Sequence, residues 1–407
     1  MDVVTERALK NRFGALPWTT PRTVVSGNLG TPRRLVELFD AAVDRYRLFA
    51  LNAQNGIPDR DGVIHETPFV GPGMRGSTAI DYLPMRLSLV PRLFEHARPP
   101  DVVLLHTSIV RHGRVSLGAE VNILPAAVEA VRARGGLVVA QLNRSMPYTY
   151  GDGELDTDAI DLAFEFDEAL PSPARMPIDD LRLEIGRGVA TLIERGATIQ
   201  VGIGDIPDAV LSSLSELRGV GVWSEVIGDG VLDLEHHGVL DPARPIVSTF
   251  LFGSEALYAW ADRNPRVRVL RTETVNDPAR IARHPALCSI NTAMQVDLHA
   301  QANASFTRGQ IYSGLGGQPD FVVGALHSLN GHAIIALASW HDKTDTSTIV
   351  PRLTEPTTTF QHSAIVTEHG QALLFGRSER AQARLLIEEV AHPRARDELW
   401  EAIGARR

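Results

Sequence analysis

The chain has 407 residues, 44% of them hydrophobic and 22% charged, which is an ordinary globular composition and predicts two or more domains. Its formal net charge of -9 argues against general nucleic-acid binding, and no apolar run reaches the roughly 18 residues that a membrane span needs. The single cysteine, Cys288, excludes an intramolecular disulfide, and its apolar neighbours predict a buried thiol in a strand.

Short apolar runs alternate with helical patterns in the first half of the chain. Residues 101–105 and 136–140 predict buried strands, with a helix at residues 120–134 between them. This succession is typical of βαβ units and predicts a parallel sheet. The polar, Pro-rich segment 150–177 is the best candidate for a linker. A clear helix follows at residues 178–195, where apolar side chains recur every three or four positions.

The same alternation restarts in the second half. It predicts strands at residues 198–203, 219–226, 246–252 and 267–270, helices at 207–217 and 254–262, a strand-rich stretch at 287–338 and a helix at 379–390. The predicted fold is therefore α/β, with two open domains, each built on a largely parallel sheet, and an active-site cleft between them. We place the domains at residues 1–185 and 186–407.

Two glycine-rich turns are candidate binding elements. Gln200 to Pro207 joins a predicted strand to a helix with Pro207 in its first turn. Such a turn directs backbone N–H groups at whatever lies above the strand end, although it equally suits tight packing. Ser313 to Phe321 contains three glycines within four positions, which allow a backbone to approach a ligand closely or allow a loop to flex.

Glu225 lies at the end of a predicted strand of the second domain, between these two turns in the sequence. Ligands of parallel α/β sheets bind at the carboxyl ends of the strands. A carboxylate there can act as a nucleophile toward an activated acyl group, although a lone glutamate is more often solvated or salt-bridged.

The histidines carry little information about metal binding. His236 and His237, and His362 with His369, lack the sequence context of a zinc helix. We expect surface or capping roles for them, and no metal site.

Many short segments, in the same order, resemble the acetyl-CoA hydrolase/transferase family, which includes 4-hydroxybutyrate and butyrate:acetate CoA-transferases. The resemblance covers nearly the whole chain. It is carried by Asp81-Tyr82-Leu83-Pro84, His112-Gly113, Ser116-Leu117-Gly118, Asn143, Met146-Pro147, Gly202-Ile203-Gly204, Ile206 to Val210, Ser224-Glu225, Asp229-Gly230, Asn276-Asp277-Pro278, Ile290-Asn291, Val296-Asp297-Leu298, Ser313 to Gln318, Asp320-Phe321, Val366-Thr367-Glu368 and Ala391-His392-Pro393.

The resemblance implies roles for particular residues. It implies that Glu225 is the catalytic nucleophile. The first turn would supply oxyanion and substrate contacts through Gln200, Val201, Gly202 and Gly204. The second turn would bind CoA through Ser313, Gly314, Leu315, Gly316, Gly317 and Gln318.

Two stretches depart from the family pattern. After Glu225, the family carries an aromatic residue and a serine before Asp-Gly, where this chain has Ile227-Gly228. Before Val366, the family carries an arginine, where this chain reads Thr359-Phe360-Gln361-His362. Both departures bear on the acyl group or the partner acid more than on the reaction.

The resemblance predicts a CoA-transferase that moves CoA between a short-chain acyl-CoA and a carboxylic acid. Glu225 would form an acyl-glutamyl anhydride and then a glutamyl-CoA thioester, without a metal or a cofactor other than CoA as substrate. A hydrolase using the same site and a non-catalytic CoA-binding protein are the alternatives. The resemblance further implies a homodimer or larger homo-oligomer. The charged N-terminal sequence, unlike a signal peptide, favours a cytoplasmic location, without nucleic-acid or membrane partners.

Overall fold

A computed structural model of the chain describes residues 1–359 and 361–404. These residues form two compact units, and neither is one continuous stretch of chain. The first consists of Met1–Pro173, Val247–Val275 and Tyr312–Gly316, and the second of Ala174–Ile246, Asn276–Ile311 and the described residues from Gly317 onwards. The single boundary at residues 185 and 186 and the cleft between domains stay predictions.

The first unit is built on an eight-stranded, all-parallel sheet. In spatial order its strands are Asp2–Val3, Leu162–Glu165, Leu137–Leu142, Val102–Thr107, Arg22–Val25, Tyr46–Phe49, Val63–Thr67 and Ile80–Tyr82. Two neighbouring interior strands, Leu137–Leu142 and Val102–Thr107, are buried at every residue. Such continuous burial is expected where both faces of a parallel sheet are covered, and it explains the uninterrupted apolar runs in the sequence.

Helices and short strands complete the first unit. The helical segments are Glu6–Gly14, Arg33–Asp40, Leu87–Leu89, Val90–Arg92, Leu93–Ala97, Leu124–Ala133, Thr157–Ala159, Glu255–Ala261 and Thr272–Val275. The further strands are Arg114–Ser116 paired with Glu154–Asp156, Tyr150–Gly151 paired with Val267–Val269, and Phe250–Leu251. The strand Ile246–Ser248 lies where the chain passes from the second unit to the first.

The second unit contains a second, largely parallel array of strands. In spatial order these are Gly370–Leu373, Ala364–Thr367, His332–Ala336, Leu287–Asn291, Thr198–Val201 and Gly221–Trp223. All neighbouring pairs are parallel except the hairpin of Ala364–Thr367 with Gly370–Leu373. Shorter strands are Val226–Ile227, Gln295–Asp297, Ala302–Asn303, Phe306–Thr307, Gln310–Ile311, Trp340–His341, Thr346–Ser347 and Ile349–Val350.

The helices of the second unit follow its strands. They are Asp180–Ala190, Asp205–Ser212, Asp229–His236, Pro278–Ile281, Gln318–His327, Glu379–Leu385 with its continuation Leu386–Val390, Pro393–Ala395 and Arg396–Ala402. The Asp179 side chain accepts a hydrogen bond from the Arg182 N–H and so caps the first of these helices. Within that helix a side chain at Gly186 would lie 2.5 Å from the Ala209 carbonyl oxygen, so this glycine permits two helices to pack closely.

The α/β class and the parallel sheets are confirmed, and several local predictions are corrected. The segment 150–177 is not one linker, because it contains three short strands, and its long irregular stretch begins only at residue 166. The stretch predicted to be strand-rich, residues 287–338, includes the helix Gln318–His327. The sequence does not predict this helix, because its own apolar side chains lie on all sides of it and leave no amphipathic pattern. Cys288 lies buried in Leu287–Asn291, as predicted, and burial raises the pKa of its thiol to about 12.

The prediction of a surface or capping role is wrong for His362 and agrees with the structure at the other three histidines. His362 is 4% exposed, so it is a core residue, and burial lowers its pKa to about 4. His236 and His369 are exposed, whereas the His237 ring lies 2.7 Å from the Asp233 carbonyl oxygen at a helix end, which is a capping role. Within the described residues, no helix is both long enough and apolar enough to cross a bilayer.

Candidate active site

Glu225 lies just after the strand Gly221–Trp223 in the second unit, and the residue before it anchors that position. The Ser224 hydroxyl accepts a hydrogen bond from the Val201 N–H at 3.2 Å and donates one to the Val201 carbonyl at 2.9 Å. Ser224 is completely buried. This pair of bonds fixes the end of Thr198–Val201, and therefore the start of the turn at Gly202, beside the backbone that carries Glu225.

An asparagine holds the carboxylate. Asn276 donates a hydrogen bond from Nδ2 to Glu225 Oε2 at 2.7 Å, and Asn276 is fully buried. The other amide atom of Asn276, Oδ1, is buried without a hydrogen-bond partner among the described residues. Asn276 belongs to one of the motifs shared with the family, but its sequence context predicts no role for it. Its partner lies 51 residues away, and no local pattern predicts such a contact.

Gly317 forms the other wall around the carboxylate. A side-chain carbon at this position would lie 1.7 Å from Glu225 Oε2 and 2.4 Å from Asn276 Nδ2. Any residue other than glycine would therefore overlap the Glu225 carboxylate. Gly317 also caps the N-terminus of the helix Gln318–His327, which has Pro319 in its first turn. Glycine is needed here for space, since its φ of -86° is open to other residues.

This environment makes Glu225 unusually basic. Burial of the carboxylate raises the pKa of Glu225 to about 7, the hydrogen bond from Asn276 opposes this rise, and the negative charge of Asp320 adds to it. The residue as a whole keeps some exposure, yet Asn276 and Gly317 crowd the carboxylate itself. Desolvation at the carboxylate oxygens therefore decides the direction of the shift. Near neutral pH, both protonation states of Glu225 are populated.

Only part of the first predicted turn can supply hydrogen-bond donors to a substrate. The Gln200 side chain accepts a 2.6 Å hydrogen bond from the Ser289 hydroxyl within the sheet. The Val201 N–H is already engaged by Ser224. Gly202 is half-buried and Gly204 is exposed, with a φ of +131° that favours glycine. Gly202 and Gly204 are therefore the members of this set whose N–H groups remain candidates for substrate contact.

The residues of the second predicted turn belong to two different compact units. Ser313, Gly314, Leu315 and Gly316 belong to the first unit, whereas Gly317 and Gln318 belong to the second. A side chain at Gly314 would lie 2.3 Å from the Pro68 carbonyl oxygen, so this glycine accommodates the protein's own backbone.

Neighbouring residues of the first unit hold the turn in place. The Ser313 carbonyl accepts from the Val70 N–H at 2.7 Å, and the Leu315 backbone is hydrogen-bonded to the Tyr82 phenol. Gly316 has a φ of +58°, where glycine is favoured. In the other unit, the Gln318 amide nitrogen is buried without a partner among the described residues, which makes it a candidate donor to a ligand.

Of the positions that depart from the family pattern, Phe360 lies outside the described residues. Ile227 is buried and Gly228 caps the helix Asp229–His236, so these two residues support the strand end and the helix start that follow Glu225.

The Glu225 carboxylate, at a strand end, held by an amide and faced by a glycine, lies where the ligands of parallel α/β enzymes bind. Comparison with known proteins identifies the family. The acetyl-CoA hydrolase/transferase N-terminal domain model matches residues 37–171, and the C-terminal domain model matches residues 253–403. The chain belongs to the acetyl-CoA hydrolase/transferase family and is an enzyme.

Individual relatives are similar over most of their length. The chain is 37% identical to 4-hydroxybutyrate coenzyme A transferase of Clostridium kluyveri, over 84% of this chain and 82% of that protein. It is 33% identical to the succinyl-CoA:acetate/propanoyl-CoA:succinate CoA transferase of Fasciola hepatica, over 93% of this chain and 83% of that protein. The crystal structure of 4-hydroxybutyrate CoA-transferase from Porphyromonas gingivalis matches with a TM-score of 0.83 and 27% identity, covering 99% of this chain and 97% of that one.

Proposed function

We propose that this enzyme transfers CoA between a short-chain acyl-CoA and a carboxylic acid, with Glu225 as the nucleophile. The observation that carries the proposal is the Glu225 carboxylate, desolvated, held by Asn276 at 2.7 Å and faced by the glycine at 317. Burial raises the pKa of the Glu225 carboxylate to about 7, so its ionised form is a stronger nucleophile than an ordinary carboxylate. The relatives named as CoA transferases support the reaction class.

The first half of the reaction forms the enzyme-bound thioester. An ionised oxygen of Glu225 attacks the thioester carbonyl carbon, the carbon–sulfur bond breaks, and CoA thiolate leaves with the electron pair. The thiolate then attacks Cδ of Glu225, and the first acid leaves as its carboxylate. The product is a glutamyl-CoA thioester at Glu225. Because a thiol has a pKa of ~8.5, the CoA thiolate is a competent leaving group in either direction.

The second half repeats these steps with the incoming acid. Its carboxylate attacks Cδ and displaces CoA thiolate, and the thiolate then attacks the new acyl carbonyl. This releases the second acyl-CoA and restores the Glu225 carboxylate. No electron is gained or lost overall, so the chemistry calls for no cofactor other than CoA as a substrate.

We assign supporting roles to nearby groups. Each addition places negative charge on a carbonyl oxygen, and a backbone donor in such a position is worth about 3 kcal/mol. The N–H groups of Gly202 and Gly204 are our candidates for that donor. The buried amide nitrogen of Gln318 is placed one residue from Gly317 and is our candidate contact to the acyl-CoA. In our proposal, the turn from Ser313 to Gly317 holds the thiol end of CoA.

The test is incubation with acetyl-CoA, with and without a second acid, followed by mass spectrometry. Without the second acid, hydroxylamine should convert Glu225 to a hydroxamate, and borohydride should reduce it to the alcohol. Glu225→Ala should remove both marks and abolish exchange, and ping-pong kinetics should accompany the wild-type reaction.

The same experiment separates the alternatives. Release of CoA without an acceptor acid and without a mark on Glu225 would favour a hydrolase that activates water directly. No CoA-dependent labelling would favour a binding protein. A mark on another carboxylate would leave the reaction class standing and refute the nucleophile.

The assembly and location stay predictions. The family resemblance is the ground for a homodimer or larger homo-oligomer, and light scattering of the purified protein tests it. The cytoplasmic location also stays a prediction, which fractionation of the source cells tests.

A further inference from the structure

The two strands that lead to the candidate site separate before they reach it. The strand Thr198–Val201 is paired with Gly221–Trp223 as far as Ile199. On its other side, the same strand stays paired with Leu287–Asn291 up to its last residue, Val201. The strand end that carries the glycine turn and the strand end that carries the proposed nucleophile therefore extend beyond the backbone ladder that joins their strands.

The Ser224 side chain bridges the two strand ends. Its hydroxyl accepts a hydrogen bond from the Val201 N–H at 3.2 Å and donates one to the Val201 carbonyl at 2.9 Å. A backbone N–H only donates and a carbonyl only accepts, whereas a hydroxyl does both, so a single oxygen atom meets both groups. Ser224 is completely buried, so solvent does not compete for these bonds. The residue before the glycine turn is thus tied to the residue before Glu225.

We propose that Ser224 is a positioning residue for the reaction, which holds the turn at residues 202–204 in register with the Glu225 carboxylate. The inference rests on the proposed function, because it requires that Glu225 attack an acyl carbonyl whose oxygen is stabilised by N–H groups of that turn. Ser224 acts through the backbone of its neighbours and makes no contact with the substrate.

The register matters because one carbonyl group must meet a nucleophile and a donor at the same time. An oxygen of Glu225 forms a bond to the carbonyl carbon, and an electron pair of the carbonyl double bond moves onto the carbonyl oxygen. A backbone N–H stabilises that charge when it lies ~2.7–3.1 Å from the oxygen. The nucleophile and the donors follow different strands, so a shift of about 1 Å between the strand ends misplaces one of them and costs about 10²-fold.

Other contacts at the site act elsewhere. The Ser289 hydroxyl donates to Gln200 Oε1 at 2.6 Å, which ties the end of that strand to its other neighbour. Asn276 reaches the carboxylate of Glu225, and Gly317 lies against it, so both restrict the side chain of the nucleophile. The bonds of Ser224 are the ones that connect the backbone before the turn with the backbone before the nucleophile.

The same sheet supplies a matched control at its opposite edge. The Ser363 hydroxyl accepts from the Ala333 N–H at 2.9 Å and donates to the Ala333 carbonyl at 3.2 Å, which is the pair of bonds that Ser224 makes. Ser363 is buried and precedes the strand Ala364–Thr367, so it lies at the amino ends of the strands, whereas Glu225 follows a carboxyl end. Removal of either hydroxyl leaves two buried backbone groups unpaired, so the two losses of stability should be similar.

The central test compares Ser224→Ala with Ser363→Ala. Each purified enzyme is mixed with acetyl-CoA and quenched rapidly, and intact-protein mass spectrometry follows the formation of the CoA adduct on Glu225. We expect the rate constant to fall about 10²-fold in Ser224→Ala and to stay within about twofold of wild type in Ser363→Ala, at a similar loss of melting temperature. The thioether S-ethyl-CoA has no carbonyl oxygen, so its dissociation constant should change by less than about twofold in both variants.

The pH profile separates positioning from an effect on the ionisation of Glu225. The hydrogen bonds between Ser224 and Val201 do not involve the carboxylate, so Ser224→Ala should leave the acid limb of kcat/KM within about 0.3 pH unit of wild type. Asn276→Ala should move that limb upward, because it removes a hydrogen bond that stabilises ionised Glu225. A limb displaced by about one unit in Ser224→Ala would overturn the inference.

A double-mutant cycle tests whether Ser224 acts through the turn. Gly204 has a φ of +131°, which alanine rarely adopts, so Gly204→Ala reshapes the turn by itself. In that background, removal of the Ser224 hydroxyl should cost less than about threefold, because the register is already lost. A full further loss of about 10²-fold would show independent action and would overturn the inference.

A second variant covers the case in which Ser224→Ala does not fold. Ser224→Cys nearly keeps the shape of the side chain but donates and accepts weakly, and it should lower the rate constant about tenfold. A rate constant equal to that of Ser363→Ala, in whichever Ser224 variant folds, would overturn the inference. Absence of CoA on Glu225 in the wild-type protein would instead overturn the proposed function.

Discussion

Glu225 is ionisable and desolvated, and burial of its charge is costly to the folded protein. Its pKa is about 7 when folded, against an ordinary value of 4.5. Below pH 4.5 the carboxyl is protonated in both states, and no penalty exists. Between these values the folded protein holds a proton that the unfolded chain releases, so stability falls as pH rises, and the penalty is complete above pH 7.

Replacing Glu225 should therefore stabilise the protein while abolishing its activity. Glu225→Gln removes the charge and should raise the free energy of unfolding at pH 8 by on the order of 3 kcal/mol, with little change near pH 4.5. Chemical denaturation at the two pH values measures this. Equal stability of variant and wild type at pH 8 would show that the Glu225 carboxylate is not desolvated as described.

At the scale of elements, the start of one helix and the end of one strand determine the site. Gly316 and Gly317 are adjacent but are glycines for different reasons. Gly316 has a φ of +58°, a conformation that costs other residues about 1–2 kcal/mol, so a substitution there acts partly through stability. Gly317 has an ordinary φ and lacks only room for a side chain, because the Glu225 carboxylate occupies that room.

Gly317→Ala should separate activity from folding. The added methyl group would overlap Glu225 Oε2, so the carboxylate or the helix must move by about 1 Å or more. Misplacement of that size costs about 10²-fold, and we expect a fall of this order in kcat/KM for acyl-CoA with a small change in melting temperature. Gly76→Ala is the control, because a side chain there meets nothing within 4 Å. Wild-type activity of Gly317→Ala would refute the close contact.

At the scale of the whole molecule, the first compact unit is not a contiguous stretch. The strand Val267–Val269 pairs with Tyr150–Gly151, and the Thr249 carbonyl accepts hydrogen bonds from the Val121 and Asn122 N–H groups. Gly314 forms a bridge with Phe69. Each of these contacts joins residues within the first unit that lie more than 100 positions apart.

A fragment of residues 1–185 should consequently fail to fold as a stable domain. It lacks Val247–Val275 and Tyr312–Gly316, and the backbone groups at residues 121, 122 and 150 would lose their partners. Thermal unfolding followed by circular dichroism should show no cooperative transition for the fragment, in contrast to the full chain. A sharp transition near that of the full chain would support the single boundary predicted from the sequence.

Local patterns in the sequence determined many of the secondary-structure elements of this protein. Buried strands such as Val102–Thr107, the buried Cys288 and the helix Asp180–Ala190 follow from apolar runs and periodicity, because neighbouring residues alone set those signals. The order of many short motifs indicated the family, and through the family, Glu225. The glycine-rich turn also pointed to Gly317, as a contact for CoA, and that role stays a prediction.

Tertiary structure alone decided what surrounds Glu225. Asn276 and Gly317 reach its carboxylate from 51 and 92 positions along the chain, and the burial of Asp320 and His362 depends on what packs over them. The pKa of Glu225 near 7 is a property of that packing, since desolvation is its main cause. Periodicity and turn propensity act over a few residues, whereas desolvation and close contact arise from segments that meet only after the chain has folded.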